Sequence, residues 1–276
     1  MDRKKKQEII EFARQLRITE LRMLANLGFG HAGGALSCTD LLAVLYQEVL
    51  RYDPKNPKWE GRDRLVVSKG HAGPAVYAAL ALKGFFPMEQ LDTLNQGGTN
   101  LPSHCDRNKT PGIDMTTGSL GQGASAAAGM ADALKGTDRY VYLILGDGEC
   151  QEGQVWEMAM YASHRKLNNL IAFVDRNRKQ LDGYVEEIMP LGNLEAKFTA
   201  FGWEVQTVDG HNVEELYGAI ERVKLGEGRP QMIIMNTVKG KGARFVEQEV
   251  YNHHVTVSKE QAEEAIRELE AEKEHV

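Results

Sequence analysis

A strand–helix–strand pattern between residues 140 and 177 constrains the fold more than any other feature of the sequence. Residues 140–145 (YVYLIL) and 170–174 (LIAFV) are short and apolar throughout, which is typical of buried strands. Residues 152–167 between them have the length and apolar spacing of a helix. Such a crossover is almost always right-handed, so it sets both strands parallel with their carboxyl ends at one edge of a sheet.

The same alternation continues along the chain and predicts a larger parallel sheet. Further strands are expected at 65–68, 203–208 and 232–238, and further helices at 72–84, 123–135, 195–202 and 212–224. This order favours an α/β fold with a doubly wound, mostly parallel sheet and helices on both faces. Because the chain shows no internal repeat or low-complexity linker, we expect one domain over residues 1–276.

The remaining elements are predicted from local signals. Residues 1–20 have the spacing of an amphipathic helix. Ser37 and Asp40 are spaced as in a capping box and are expected to start a second helix over 41–50, followed by a loop over 51–62. The tail from Ser258 onward is interpreted as a solvated terminal helix.

Charge and composition exclude several classes of protein. The formal net charge of −6 is spread along the chain, so we expect no nucleic-acid partner and no anionic membrane surface as partner. No apolar run approaches the roughly 20 residues that a transmembrane helix needs. The cysteines, Cys38, Cys105 and Cys150, are odd in number and form neither a zinc-type pair nor a disulfide framework, which favours a reducing cytoplasm.

Polar side chains follow the two strands of the central pattern. Asp147, in Gly146-Asp147-Gly148, comes just after the first strand, and Asn177 follows the second. Because the strands end at one edge, these side chains are expected to lie side by side, where a carboxylate and an amide oxygen suit magnesium or calcium. The alternative is a tight turn and a strand-ending cap, with no ligand.

A glycine-rich segment is expected at the same edge. Residues 116–123 (TTGSLGQG) open a helix of alanine, serine and glycine, whose first backbone amides could receive phosphate oxygens. The alternative is a helix that packs closely because its residues are small.

Taken together, these motifs resemble the transketolase family of thiamine-diphosphate enzymes. The resemblance rests on TTGSLGQG, on GDG with EG four residues after the aspartate, on FVDRNRKQLDG, and on the segments around three histidines: GHAGGALS, SKGHAGPAVYAAL and LPSHCD. It extends from about residue 10 to 255 and is greatest with the amino-terminal, diphosphate-binding subunit of split transketolases. The implied fold is the thiamine-diphosphate-binding fold.

The resemblance implies a cofactor site and a metal site. Asp147, Asn177 and the backbone carbonyl of Lys179 would hold Mg²⁺ or Ca²⁺ against the phosphates of thiamine diphosphate. Gly118, Ser119 and Gly148 would contact the diphosphate, and Leu120 and Leu181 would lie near its rings. As isolated leucines, both are more often simple core residues.

The histidines and one acid receive roles in the same way. By resemblance His71 faces the diphosphate, whereas His31 and His104 face the oxygens of a sugar. His253 aligns with a further family histidine near the cofactor, but its surroundings are unusual and His254 competes for the position. Glu152 matches an acid at the subunit interface that takes part in proton relay. Alternatively, Glu152 is an ordinary acid in the first turn of a helix, where the helix dipole favours it.

The resemblance implies transfer of a two-carbon ketol unit from a ketose to an aldose, both sugar phosphates, as in pentose phosphate metabolism. This chemistry needs a glutamate on a pyrimidine-binding domain, which we expect on a separate carboxy-terminal transketolase subunit in an A2B2 heterotetramer. Open alternatives are a related acyloin-forming synthase, a transketolase for a branched or sulfonated sugar, a non-catalytic regulatory subunit, and a metal-dependent phosphatase.

Overall fold

A parallel sheet forms the centre of the computed structural model, which describes residues 1–224, 226 and 228–272. The strands are β1 Phe29–Gly30, β2 Arg64–Val67, β3 Val141–Gly146, β4 Leu170–Arg176, β5 Lys179–Gln180, β6 Gly183–Tyr184, β7 Glu204–Asp209, β8 Gln231–Asn236 and β9 Val255–Thr256. Among the described residues, the main sheet has the order β2-β3-β4-β8-β7, and each neighbouring pair is parallel.

Helices cover the sheet between successive strands. They are α1 Arg3–Leu27, α2 Ala32–Leu36, α3 Thr39–Val44, α4 Gly73–Leu82, α5 Gln122–Ala133, α6 Gly153–His164, α7 Val185–Ile188, α8 Leu194–Ala200, α9 Val213–Lys224, α10 Arg244–Glu247 and α11 Lys259–Glu272. The predicted α/β architecture is confirmed, including the strand–helix–strand unit formed by β3, α6 and β4.

Both faces of the sheet are buried. Along β3, Tyr142 and Ile144 pack into one apolar cluster with α1, α3, α4 and α9, whereas Leu143 and Leu145 pack into a second cluster with α5, α6 and α8. All four side chains are fully buried. A strand with helices on both sides needs apolar residues at every position, which explains the continuous apolar runs of the sequence.

The predicted capping box at Ser37 and Asp40 is wrong. Cys38 is the residue that precedes α3, and no side chain caps that helix. The Ser37 hydroxyl instead donates to Asp175 Oδ2 at 2.5 Å, and the Asp40 carboxylate pairs with Arg17. Tertiary partners therefore outcompete the local cap. The helix expected over 41–50 changes into a π-helical turn at Leu45–Val49.

The tail forms the predicted terminal helix, but the prediction that this helix is solvated is wrong. α11 packs against α1 and buries Ala262, Ala265, Ile266 and Leu269. These positions have the spacing i, i+3, i+4 and i+7, so the helix is amphipathic rather than polar all round. Residues 273 and 274 of the predicted helix lie outside the described part of the chain. No helix within that described part combines the length and apolarity needed to cross a membrane.

Candidate cofactor and metal site

The carboxyl edge of the sheet brings Asp147 and Asn177 next to each other. Gly146, the last residue of β3, pairs with Asp175 of β4, and the Asp147 amide continues this ladder by donating to the Asp175 carbonyl at 3.2 Å. Asn177 follows β4 directly. The parallel crossover thus places both predicted ligands at the ends of adjacent strands.

Backbone amides hold the carboxylate of Asp147 in place. Oδ1 accepts from the Gly148 amide at 2.8 Å, and Oδ2 accepts from the Arg178 amide at 2.5 Å. The side chain is buried, and burial, followed by the nearby charge of Asp175, raises the pKa of Asp147 to about 6. A carboxylate has about four acceptor positions, so two amides leave it able to bind a cation. The Gly148 amide, which was expected to contact diphosphate, here orients Asp147.

Asp175 orients Asn177 and was missed in the sequence analysis. Asn177 Nδ2 donates to Asp175 Oδ2 at 3.0 Å, while Asn177 Oδ1 accepts from the Lys179 amide at 3.1 Å. Asp175 is fully buried, and its other side-chain donors are Ser37, Lys69 and Thr237. An acid that continues an apolar strand was the available signal, because a buried charge needs partners.

Lys69 is the counter-charge of Asp175. Its ammonium donates to Asp175 Oδ2 at 2.5 Å and to the Gly34 carbonyl at 2.7 Å, and the side chain is 1% exposed. Burial by itself lowers the pKa of Lys69, but the carboxylate of Asp175 outweighs burial and raises it. Burial likewise acts to raise the pKa of Asp175, and Lys69 reverses this effect to lower it. Both groups are therefore charged at neutral pH.

A second buried lysine contacts the predicted carbonyl ligand. Lys239 Nζ donates to the Lys179 carbonyl at 3.0 Å and lies 3.5 Å from His253 Nδ1. Lys239 is 3% exposed, and burial lowers its pKa to about 8. The ammonium occupies one lone pair of this carbonyl and leaves the other for the predicted metal. Lys239 was not among the residues predicted from the sequence.

The glycine-rich segment before α5 offers free amides. Within the described residues, the N–H groups of Gly118, Ser119 and Leu120 have no hydrogen-bond acceptor. Gly118 has a φ of +142°, and a Cβ there would lie 3.0 Å from the His104 ring, so the position requires glycine. These amides suit phosphate oxygens.

Glu149 holds the glycine-rich segment through hydrogen bonds, and it was not predicted from the sequence. Its Oε1 accepts from the Gly121 amide at 2.9 Å and from the Ser68 hydroxyl, and its Oε2 accepts from the Gly146 amide at 3.0 Å. Burial raises the pKa of Glu149. The carboxylate occupies the amide at the start of α5, so phosphate would have to bind the earlier amides.

The predicted histidines converge on His31. The rings of His104 and His253 lie 5.2 Å from it, that of His71 lies 5.8 Å away, and that of His254 lies 4.8 Å away. The short antiparallel pairing of β1 with β9 explains the last contacts, because it joins the residues just before His31 to those just after His254.

The imidazoles of His31, His71, His104 and His253 are neutral at pH 7. Burial, helped by the nearby rings and Lys239, lowers the pKa of His31 to about 4 and that of His253 to about 3. Burial also lowers the pKa of His71 and His104. His253 is half-buried with its ring 4.5 Å from that of His71, whereas His254 is exposed and lies against Phe29.

The remaining predicted residues lie at the rim. Leu181, at the turn of the β5–β6 hairpin, is 60% exposed, and Leu120 is half-buried. Glu152 is exposed and immediately precedes α6, with its Cβ facing Gly121. Neither leucine belongs to the closed core, so the alternative reading of simple core residues does not apply to them.

The donor set fits a divalent cation that is held together with a diphosphate. Within the described residues there is no group of three or more His, Cys, Asp or Glu side chains able to hold a metal. A cation here would rely on Asp147, the amide oxygen of Asn177 and the Lys179 carbonyl, the oxygen chemistry of magnesium and calcium. With the free amides of Gly118–Leu120, this edge defines the class of α/β domains that bind a diphosphate cofactor.

Comparisons with known proteins identify the family. The profile described as "Transketolase, thiamine diphosphate binding domain" matches residues 6–274. The chain therefore belongs to the transketolase family and comprises its amino-terminal, thiamine-diphosphate-binding domain. This confirms the resemblance on which the sequence analysis relied.

Its relatives include subunits of similar length and longer chains. A 6-deoxy-6-sulfo-D-fructose transketolase subunit, SqwG, from Clostridium sp. (strain MSTE9) is 55% identical and covers 94% of this chain and 95% of its own. One of the subunits of an apulose-4-phosphate transketolase from Phocaeicola vulgatus is 41% identical, with coverages of 87% and 86%. The solved transketolase of Campylobacter jejuni has a TM-score of 0.87 at 32% identity, and the match covers 98% of this chain but 43% of that one.

Proposed function

We propose that this chain is the diphosphate-binding subunit of a two-chain transketolase that moves a two-carbon ketol unit from a ketose to an aldose. The observation that carries the proposal is one of length. The chain matches two proteins named as transketolase subunits over nearly their whole length, yet it spans less than half of the solved Campylobacter jejuni chain. The remaining part of the active site is assigned to a carboxy-terminal transketolase subunit with the pyrimidine-binding domain, in an A2B2 heterotetramer.

The cofactor is held at the carboxyl edge of the sheet. Asp147, Asn177 Oδ1 and the Lys179 carbonyl bind Mg²⁺ or Ca²⁺, and this ion neutralises the diphosphate. The amides of Gly118 and Ser119 receive phosphate oxygens. Thiamine diphosphate supplies a nucleophilic thiazolium carbon and an electron sink, which no protein side chain offers.

The histidines bind the hydroxyl groups of the sugar and accept protons from them. His31, His104 and His253 are neutral at pH 7 because burial lowers the pKa of each, so every ring has one donor and one acceptor nitrogen. Such a ring can hydrogen-bond a sugar hydroxyl and accept its proton. His71 faces the diphosphate, and burial lowers its pKa as well.

Leu181, Leu120 and Glu152, at the rim of the site, are assigned to contacts with the cofactor rings and with the partner subunit. Leu181, which is 60% exposed, and Leu120 would cover the cofactor rings and help to exclude water there. Glu152 is exposed at the start of α6 and takes part in proton relay across the subunit interface. The described cysteines, Cys38, Cys105 and Cys150, are buried and unpaired, which agrees with a cytoplasmic enzyme.

A sulfonated ketose is a second candidate donor. The 55% identity to the 6-deoxy-6-sulfo-D-fructose transketolase subunit favours it over an ordinary sugar phosphate. Both donors are ketoses with an anion at the far end, and recognition of that anion is assigned to the partner subunit.

The test is reconstitution with the partner chain. The neighbouring reading frames are searched for one of about 300 residues that encodes the complementary α/β domains. Its product is mixed with this chain, thiamine diphosphate and Mg²⁺. Ketol transfer to an aldose phosphate is then compared for fructose 6-phosphate and 6-deoxy-6-sulfo-D-fructose, which differ only at C6.

We expect turnover by the mixture and none by either chain alone. Preference for the sulfonated donor would identify the second candidate, and preference for the phosphate would place the enzyme in pentose phosphate metabolism. Robust turnover by this chain alone would contradict the two-chain proposal. Cofactor binding by the complex without transfer from any ketose would favour the alternative of a regulatory subunit.

A further inference from the structure

The loop that carries Lys239 is tied down from several elements. Residues Val238–Gly242, called the lysine loop below, connect β8 to α10 without regular structure of their own. The Gly240 amide donates to the Gly33 carbonyl at 3.0 Å, and the Lys239 carbonyl accepts from Asn252 Nδ2 at 3.1 Å. The Lys239 side chain extends from this loop to the Lys179 carbonyl.

His211 holds the start of the lysine loop. Its Nε2 accepts a hydrogen bond from the Val238 amide at 2.8 Å, so this nitrogen carries no proton. The proton of the neutral ring is therefore on Nδ1, which lies 2.7 Å from Asp40 Oδ2 and donates to it. One tautomer thus satisfies both contacts, and it fixes the ring between α3 and the lysine loop.

Arg17 extends the same cluster to the other end of the loop. Its guanidinium donates to Asp40 Oδ1 at 3.0 Å and to Oδ2 at 2.5 Å, and its Nε donates to the Lys241 carbonyl at 3.0 Å. Burial by itself would raise the pKa of Asp40, but Arg17 and His211 together lower it to about 2. Asp40 is therefore ionised throughout the working pH range, so it is a constant anchor for both partners.

Close packing keeps the lysine loop on this cluster. Gly242 has a φ of +90°, and a Cβ there would lie 2.7 Å from Arg17 Cδ. Gly240 also has a φ of +90°, and a Cβ there would lie 2.6 Å from Val246 Cγ1. The close approaches at Gly240 hold the residue after Lys239, and His211 holds Val238, the residue before it. A contact that fixes Val238 therefore helps to fix the origin of the Lys239 side chain.

We propose that His211, oriented by Asp40, is a positioning residue that sets the place of the Lys239 ammonium in the cofactor site. His211 hydrogen-bonds the backbone next to Lys239, and within the described residues it makes no hydrogen bond to the predicted ligands Asp147 or Asn177. The inference rests on the proposed function, because Lys239 affects cofactor binding only if the Lys179 carbonyl that it contacts holds the cation.

A pair of variants separates positioning from general stability. His211→Gln presents an amide that reaches the Val238 N–H as Nε2 does, whereas His211→Asn keeps a donor near Asp40 and is too short to reach Val238. In the two-chain complex, hydrogen exchange of residues 238–242 and the Kd for thiamine diphosphate at fixed Mg²⁺ are measured. His164→Asn, on the exposed side of α6, is the matched control.

We expect faster hydrogen exchange across the lysine loop in His211→Asn and about tenfold weaker binding of the cofactor. This is the effect of losing one hydrogen bond. His211→Gln should keep most of the wild-type protection from exchange and most of the cofactor affinity. His164→Asn should change neither the exchange nor the affinity. Wild-type exchange in His211→Asn would overturn the proposal, and so would equal losses in both His211 variants. If the wild-type complex bound no cofactor, the proposed function would fail, while the exchange comparison would still decide whether His211 positions the loop.

Discussion

Asn177 donates its amide nitrogen to Asp175 Oδ2 at 3.0 Å, and this bond determines which end of the Asn177 amide is left for a ligand. The oxygen accepts one bond from the Lys179 amide and keeps a second lone pair, which is available for a cation. Asp175 is in turn held by Lys69, whose ammonium is 1% exposed. The chemistry at the edge of the sheet thus depends on a buried ion pair beneath it.

Loss of the Lys69–Asp175 ion pair should lower the free energy of unfolding strongly. Asp175→Asn leaves the Lys69 ammonium buried without its counter-charge, and breaking such a pair typically costs roughly 3–5 kcal/mol. Glu214→Gln, which removes the partner of Lys6 in an exposed pair, should destabilise the protein far less, because water and salt screen such pairs. The free energies of unfolding of both variants are measured with urea. Equal losses would show that the buried pair has no special weight.

The cation should dominate the binding of the cofactor. Asp147→Ala removes a proposed ligand of the ion, and a bound ion is usually the largest local charge in such a site. Lys241→Ala changes a half-buried side chain in the same region. Calorimetric titration of thiamine diphosphate with Mg²⁺ should show a much larger loss for Asp147→Ala. Comparable losses would mean that general positive charge, rather than a coordinated ion, holds the diphosphate.

Cation affinity should depend on the protonation of Asp147. Burial raises the pKa of this carboxyl to about 6, and a protonated carboxyl binds cations poorly. Affinity for Mg²⁺ should therefore be nearly constant above pH 7 and fall by up to tenfold per pH unit below about 6. Titrations between pH 5 and 8 measure this dependence. An affinity that stays constant down to pH 5 would exclude Asp147 as a ligand.

The histidine cluster should make the protein less stable in mild acid. His31 has a folded-state pKa of about 4, lowered from its ordinary value of 6.5, so between these values the unfolded chain binds a proton that the folded chain does not. The free energy of unfolding should therefore fall as the pH decreases from about 6.5 to 4. His253 adds to this effect because its pKa is lowered to about 3.

Variants test the origin of this pH dependence. His31→Gln and His253→Gln should each make the decrease in unfolding free energy shallower, whereas His164→Asn on the exposed side of α6 should leave the slope unchanged. Urea denaturation of the cation-free chain at a series of pH values measures the slopes. The same slope in all of these proteins would place the titrating groups outside the cluster.

Local patterns were sufficient to predict the fold and the proximity of the main site residues. The apolar runs of β3 and β4 determine a parallel crossover, and the crossover alone brings Asp147 near Asn177. The glycine-rich segment was recognisable because free amides before a helix are a local property. The loop histidines were assigned through the resemblance, and their convergence on His31 depends on the pairing of β1 with β9.

Residues whose partners are distant in the chain could not be predicted in this way. Ser37 has the spacing of a helix cap, yet its hydroxyl donates to Asp175, 138 positions away. Lys69 lies 106 positions from the same carboxylate, and Lys239 lies 60 positions from the Lys179 carbonyl. No local pattern marks such pairs. The tail was misjudged for the same reason, since the apolar face of α11 has its partner in α1.

The central claim is that Asp147 and Asn177 share one cation, and a crystal structure of the two-chain complex with thiamine diphosphate and Mn²⁺ tests it most directly. Mn²⁺ takes the same oxygen ligands as magnesium and can be located by its anomalous scattering. We expect one peak within about 2.0–2.6 Å of an Asp147 carboxylate oxygen, Asn177 Oδ1 and the Lys179 carbonyl. A bound cofactor whose ion lies away from Asp147 and Asn177 would contradict the account.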